Sequence, residues 1–217
     1  MRPRFRPFDE HGRIHIHRRN LPHWEQPGAT YFLTFRLGDS LPAGLLHALQ
    51  IQRAAWMRVH QIDRQYDLDD LEPALRKEYH RRFTAKEHRW LDEGHGRCVL
   101  REPDLRAHVT NALLHFDDDR YLLDEFVIMP NHVHVLVLPL GKHSRSDITE
   151  SWKKFAARQI NAALGKRSAL WQAETYDHIV RDVEQLISYR DYIAANPVKA
   201  RLRSAEFTLG KGVGIEV

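Results

Sequence analysis

Tyr121 to Leu138, YLLDEFVIMPNHVHVLVL, reads as two β-strands with almost nothing between them. Tyr121–Met129 and His132–Leu138 are rich in β-branched, aromatic and aliphatic residues. Each is too short for a stable helix, and Pro130-Asn131 is a turn pair. So short a joint leaves only an antiparallel hairpin. Side chains alternate along a strand, which puts His132, His134, Leu136 and Leu138 on one face and Val133, Val135 and Val137 on the other. Both faces are apolar except at the histidine end. That is the pattern of a central strand covered on both sides.

A central strand needs neighbours, and the chain supplies them. Ala29–Leu37 (ATYFLTFRL), bounded by Gly28 and Gly38, reads as a strand, and a short strand falls within Leu170–Val180. Helices are expected from Pro42 to about Gln61, from Pro73 to about Leu91, and from Asp104 to about Phe116. Ser144 with Asp147 three residues on resembles a capping box for a helix that Gly165 ends. A last helix runs from about Asp182 to Ala195 and should stop before Pro197. The order describes an α+β domain built on an antiparallel sheet. Residues 40–98 read as a helical insertion between the first strand and the helix that packs on it.

Composition narrows the class. The 217 residues are 42% hydrophobic and 29% charged, which excludes a disordered or fibrous chain. No apolar run approaches the roughly 18 residues of a membrane span. The first residues lack the apolar stretch of a signal peptide, and the single cysteine, Cys98, suits a reducing compartment. The expectation is a cytoplasmic protein with no membrane partner. The net charge of +4 has a location: Arg2, Arg4, Arg6, Arg13, Arg18 and Arg19 stand against only Asp9 and Glu10 in the first twenty residues. Residues 1–28 therefore read as an extended basic arm on a neutral body. Such an arm would add a salt-dependent, largely sequence-independent term to nucleic-acid binding.

Two imidazoles on one strand face repel when both are protonated and share a cation when both are neutral. The alternative is two histidines hydrogen-bonded to loop backbone. His15-Ile16-His17 repeats the pattern with no strand around it and is read as part of the arm. On the last helix, Val183, Leu186, Ile187, Ile193 and Ala194 form an apolar stripe. Tyr192 falls roughly opposite it, with Asn196 one turn later. A tyrosine and an amide oxygen from a helix, with two histidines from a strand, would place a nucleophile beside a three-ligand metal site. A metal ion polarises a phosphodiester that otherwise repels nucleophiles. A tyrosine nucleophile stores the cleaved ester as phosphotyrosine, so strands can be rejoined without a nucleotide cofactor. The competing readings are a surface tyrosine and a helix-ending asparagine.

Met129-Pro-Asn-His-Val-His-Val-Leu-Val137, Leu170-Trp-Gln172, Tyr176-Asp-His-Ile-Val-Arg181 and Tyr192-Ile-Ala-Ala-Asn-Pro-Val198 together resemble REP-associated tyrosine transposases. These belong to the HUH (histidine, hydrophobic, histidine) single-strand nuclease superfamily. The resemblance spans roughly 29–38 and 98–202. It implies a ferredoxin-like antiparallel sheet and an IS200-like nuclease domain over 29–202, followed by a tail over 203–217. It further implies that His132, His134 and Asn196 bind a divalent ion, Mg2+ or Mn2+, although imidazoles by themselves favour zinc-like ions. Tyr192 would attack the phosphate, with Tyr176 as the rival nucleophile. The partner implied is single-stranded DNA folded as imperfect palindromes or hairpins, cleaved and rejoined through a 5′-phosphotyrosine. Lys153, Lys154, Arg158 and Lys199, with Arg2, Arg4 and Arg6 of the arm, are candidate DNA contacts; His178 and Arg181 are either structural or DNA-touching. A hairpin-binding protein without catalysis and a phosphohydrolase without a covalent step are the alternatives. Monomer and homodimer both remain open.

Overall fold

The strands on either side of Pro130-Asn131 form as the alternation requires, and the sheet grows outward from them. The computed structural model describes residues 5–9, 11–12, 15–18, 22–62 and 71–216. Its elements in chain order are β1 (His15–Arg18), β2 (Pro22–Glu25), β3 (Tyr31–Arg36), α1 (Ala43–Val59), α2 (Pro73–Tyr79), a π turn (His80–Thr84) and α3 (Ala85–Asp92). There follow α4 (Pro103–Leu114), β4 (Tyr121–Ile128), β5 (His132–Pro139), α5 (Arg145–Ala163), β6 (Tyr176–Ile179), α6 (Val183–Lys199) and β7 (Thr208–Lys211). The main sheet has the order β6-β3-β5-β4-β7, and every neighbouring pair is antiparallel. Without the insertion, β3-α4-β4-β5-α5-β6 is a β-α-β-β-α-β unit whose four strands take the ferredoxin-like order.

β5 is central and buried along its whole length, as its two-sided apolar pattern requires. Val133, Val135 and Val137 join Tyr31, Leu33 and Phe35 of β3 in a core capped by α4 and α5 through Val109, Leu113, Ile148, Trp152 and Ile160. Leu136 and Phe32 face the other way, against Leu186 and Ile193 of α6. The histidine face is therefore the α6 face.

Residues 40–98 leave and rejoin the sheet at one point. Arg97 donates from its backbone N and Nε to Asp39 Oδ2, at 3.2 and 3.1 Å. Gly96, at φ +84°, lies where a Cβ would collide with the Asp39 carbonyl. Between those ends the insertion has its own small core of Leu49, Trp56, Tyr79 and Phe83.

Several expectations change. The basic arm is not free over its described part: Phe5 N donates to Glu216 O, Thr30 N to Arg6 O, and Phe8 N to Val180 O. Phe5 and Phe8 pack on the core clusters, which explains the docking: two aromatics outweigh the one arginine, Arg6, between them. Arg6 is exposed, whereas Arg2 and Arg4 lie outside the described residues. His15–His17, read as strandless, lies in a β1–β2 ribbon with His17 opposite His23. The segment read as a tail supplies β7, where Gly210 sits opposite Phe126 and leaves room for its ring. Finally, α6 continues through Pro197 to Lys199. Pro197 falls in the last turn, where only one backbone donor is lost, and Ala200 N still reaches Asn196 O at 3.0 Å.

Helix α6 is pinned to the sheet by a charge. Asp124, fully buried in the β4 bulge, accepts from Arg190 Nε at 2.7 Å, and Arg190 Nη2 donates to Ile215 O at 2.7 Å. Arg190→Ala leaves that carboxylate only Ile215 N at 3.3 Å and Lys211 Nζ at 4.0 Å, and we expect a loss of about 3 kcal/mol, read as a lower urea midpoint. A shift no larger than that of an ordinary surface substitution would refute this role.

Candidate active site

The site begins with strand parity. His132 and His134 project from the same face of β5, both fully buried, with ring centroids 4.7 Å apart. Across the sheet, Thr34 pairs with His134 on one side and with Tyr176 on the other, while Arg36 pairs with His132. Each imidazole is oriented through Nδ1. His134 Nδ1 lies 2.7 Å from Thr34 Oγ1, and His132 Nδ1 lies 2.7 Å from Asn131 Oδ1. Asn131 is itself held, because its Nδ2 donates to the carbonyls of Leu91 and His95 at 3.2 and 3.1 Å. An amide oxygen only accepts, so His132 carries its proton on Nδ1 and turns the Nε2 lone pair into the site. The turn asparagine thus sets the tautomer of the neighbouring histidine.

Helix α6 brings the tyrosine and the amide. It starts cleanly, with Asp182 Oδ1 accepting from Gln185 N at 2.7 Å. Its rotation differs from the apolar stripe. Ile187 is 47% exposed and Ala194 is also exposed, whereas Leu186, Ile193, Asn196 and Pro197 are buried. The surface under the helix is partly polar, and the helix turns Asn196 and the edge of Tyr192 toward the imidazoles. Tyr192 Oη lies 3.5 Å from His134 Nε2, and Asn196 is fully buried. Tyr192 is neither a surface tyrosine nor Asn196 a helix-ending residue.

Two residues that sequence reasoning missed come from the insertion. On α3, His88 Nδ1 lies 3.2 Å from Tyr192 Oη, and Asp92 Oδ1 lies 4.0 Å from His132 Nε2. Their four-residue spacing, shared with His80 and Thr84 upstream, was a legible signal. It was hidden in a highly charged helix that reads as a solvated face. Helix α3 is held down by Glu87, which faces Arg36 Nε at 3.7 Å and Arg53 Nη2 at 3.5 Å.

Burial dominates the electrostatics. It pushes His132 down to about 3, with His88 adding to the effect, and His88 down to about 4, with His80 adding. His134 is held well below the usual histidine range by burial and then by His132 and His88. All three are neutral at pH 7, the form that ligates metals. Burial raises Asp92 to about 6; Lys199 opposes this and Glu93 adds to it. Burial and then Asp92 raise the Tyr192 phenol above its ordinary value, and the Asn196 amide acts the other way without closing a well-formed hydrogen bond.

Do these residues fit a divalent ion? Among the described residues no group of three or more His, Cys, Asp or Glu side chains is gathered to hold one, so a site here depends on the amide. Within it, His132 Nε2, Asp92 Oδ1 and Asn196 Oδ1 are all buried without a hydrogen-bond partner. Buried polar atoms are almost always paired. Buried lone-pair atoms without partners are what a cation satisfies, and Thr34 and Asn131 orient the two imidazoles from behind. The donor set fits.

The remaining candidates separate. Tyr176, His178 and Arg181 line, with Tyr192, Tyr189, His80 and His88, a cleft of about 310 Å³ beside the site. His178 Nε2 lies 3.3 Å from Gln185 Nε2, and the Arg181 guanidinium stands 5.3 Å from the Phe8 ring. Lys199 reaches over the Tyr192 ring at 5.1 Å. Lys153, Lys154 and Arg158 lie on α5, across the sheet from the histidines. Lys153 Nζ donates to the carbonyls of Gln172 and Ala173 at 2.8 and 2.9 Å, a structural role. Lys154 pairs with Glu150 at 2.7 Å, and Arg158 lies over Phe155. No helix among the described residues is long and apolar enough to cross a membrane.

Comparison with known proteins bears out the resemblance read from the motifs. Residues 101–196 match the family model for IS200-like transposases. The chain is 29% identical to a REP-associated tyrosine transposase of Escherichia coli (strain K12) over 91 residues, 41% of this chain and 52% of that protein. It is 32% identical to a putative REP-associated tyrosine transposase of Haemophilus influenzae over 83 residues, 33% of this chain and 47% of that one. The chain spans about half the length of the curated relatives it matches. A solved structure of a REP-associated tyrosine transposase bound to a REP hairpin is similar at 19% identity with a TM-score of 0.43, over 84% of this chain and 74% of that one. The family match includes His132, His134, Tyr192 and Asn196 and leaves out α3 with His88 and Asp92.

Proposed function

We propose that this chain is a metal-dependent single-strand DNA endonuclease that cuts and rejoins hairpin-forming DNA through a covalent 5′-phosphotyrosine on Tyr192. One observation carries the reading: the Tyr192 hydroxyl lies 3.5 Å from His134 Nε2, in a pocket where His132 Nε2 and Asn196 Oδ1 are buried and unpartnered. A nucleophile and a ligand set have been brought together from a strand and a helix, His134 and Tyr192 being 58 residues apart in the chain. The names of the relatives, REP-associated transposases, point to the same substrate class.

His132, His134 and Asn196 would hold the ion, which when bound supplies positive charge to polarise the scissile phosphate and steady the departing oxygen. Tyr192 Oη attacks phosphorus, the new Oη–P bond replaces the P–O3′ bond, and the 3′ oxygen leaves with a proton. His88 Nδ1, 3.2 Å from the hydroxyl and neutral, is placed to accept the tyrosine proton. The reverse attack by a 3′ hydroxyl releases Tyr192 and joins the strands. The cleft beside Tyr192, with its aromatic, histidine and arginine side chains, would take nucleotides next to the cut by stacking and phosphate contact.

The test is incubation of end-labelled hairpin DNA with Mn2+ followed by a denaturing gel. We expect a protein–DNA adduct through the 5′ phosphate of the downstream fragment, seen with a 3′-end label and absent with excess chelator. Tight hairpin binding with no adduct under any divalent ion would instead establish a binding protein without catalysis.

A further inference from the structure

Asn131 closes the turn between β4 and β5 and is fully buried. Its Nδ2 donates to the Leu91 carbonyl at 3.2 Å and to the His95 carbonyl at 3.1 Å, and its Oδ1 lies 2.7 Å from His132 Nδ1. A carbonyl only accepts, so these two carbonyls fix which end of the amide carries its hydrogens. With both N–H groups spent there, the oxygen is what remains for His132. Both carbonyls belong to the insertion: Leu91 lies in α3, and His95 follows it just before the chain rejoins the sheet. The proton on His132 Nδ1 is therefore placed by a segment outside the strand that carries the histidine.

The charge on the far side of the ring favours the opposite arrangement. Asp92 Oδ1 stands 4.0 Å from His132 Nε2, beyond hydrogen-bond range but close enough for its negative charge to draw a proton toward Nε2. A proton there closes the lone pair that a metal needs, while the ring keeps the same charge. An amide turned over by half a rotation has the same effect from the other side. Its N–H groups would then face Nδ1, which could receive them only as a lone pair. His134 is not constrained in this way, because its Nδ1 meets Thr34 Oγ1 and a hydroxyl can donate or accept.

We infer that Asn131 is a positioning residue through which the docked insertion holds His132 in its metal-binding tautomer. The insertion thus acts on the metal site without supplying a ligand to it. This deepens the reading of His132 as a ligand given above and rests on it. When the insertion undocks, the two carbonyls withdraw, the amide can turn, and the Nε2 lone pair is no longer assured. Docking has its own anchors in Glu87, which faces Arg36 of β3, and in Arg97, which holds Asp39. It also has a point at which it can be disturbed from a distance. Gly96 follows His95, and a Cβ added there collides with the Asp39 carbonyl.

The experiment reads the tautomer directly, on the full chain without metal or DNA. The ring nitrogens of isotopically labelled histidine are followed by proton–nitrogen correlation NMR near neutral pH, and the His132 signals are those lost in His132→Gln. Mn2+ affinity is measured in parallel by electron paramagnetic resonance. Wild type is expected to carry the His132 proton on Nδ1. Asn131→Leu, similar in shape and without polar side-chain atoms, should move that proton to Nε2 in a large part of the molecules. It should also weaken Mn2+ binding by about tenfold or more. Gly96→Ala changes neither Asn131 nor His132 but must shift the backbone that carries the His95 carbonyl, so both readouts should move the same way. Adding Asn131→Asp to Gly96→Ala should restore them, because a carboxylate accepts whichever way it faces. If Asn131→Leu leaves the proton on Nδ1, the asparagine does not place it and the inference falls. If Asn131→Leu moves the proton and Gly96→Ala does not, the insertion has no part in it and the inference falls equally. Should Asn131→Leu fail to fold, Gly96→Ala and its rescue by Asn131→Asp decide. If wild type carries the Nδ1 proton yet binds no Mn2+, the metal reading of the site falls, although Asn131 still sets the tautomer.

Discussion

Tyr192→Phe is expected to abolish the covalent protein–DNA adduct and to lower strand cleavage by about a thousandfold or more, the scale on which loss of a nucleophile acts. The substitution removes one oxygen and leaves the ring, whose edge packs on Phe32 and whose face lies under Lys199. Stability should move by no more than about 1 kcal/mol, since the hydroxyl's two contacts, at 3.2 and 3.5 Å, are long. Mn2+ binding should persist, because the phenol is not among the unpartnered ligand atoms. The informative control is Tyr176→Phe. Tyr176 lines the same cleft, its ring 5.7 Å from that of His88, but Tyr192 is the tyrosine in hydrogen-bond reach of His134. The adduct should survive there. An adduct from Tyr192→Phe, or its loss in Tyr176→Phe, would transfer the nucleophile to the other residue.

The residues differ in how openly the sequence announced them. The β4–β5 hairpin and the facing of His132 and His134 were legible because a strand has a period of two and a two-residue joint permits one geometry. The helix carrying Tyr192 was legible as a helix, and its rotation was not. An apolar stripe predicts the buried face only when the surface beneath is apolar. Here imidazoles lie beneath, so Ile187 and Ala194 go to solvent while Asn196 is buried. The same reasoning failed at α3, where Lys86, Glu87, Arg89 and Glu93 surround His88 and Asp92 and give the helix a solvated look. Polar residues buried against polar residues leave no hydrophobic signature. Phe5, Phe8 and Gly210 were missed for a different reason: single contacts made through long loops carry no period at all.

The same burial makes the metal-free protein sensitive to acid. With chelator present, stability should be level above about pH 7 and fall steeply below 6.5. In the unfolded chain each histidine takes up a proton near 6.5, whereas in the folded state His88 does so near 4 and His132 near 3. Between those values the unfolded state holds more protons, so each such group costs about 1.4 kcal/mol per pH unit. By pH 5 His88 and His132 together would remove about 4 kcal/mol, and His134, shifted in the same direction, adds to the loss. Asp92 works against them. Its folded value near 6 lies above the ordinary carboxylate value, so protonation favours the folded state and returns about 1 kcal/mol by pH 5. A net loss of about 3 kcal/mol or more is a large part of the roughly 5–15 kcal/mol that a domain of this kind has. Urea midpoints at pH 8, 7, 6 and 5 would show it, and a midpoint unchanged from 7 to 5 would mean that the imidazoles are hydrated and not buried as described. Mn2+ should offset the loss through mass action. Imidazoles kept neutral by burial do not need to shed protons to bind it, so the histidines should add almost no pH dependence to the affinity from pH 7 to 6, where an exposed histidine pair would already weaken it.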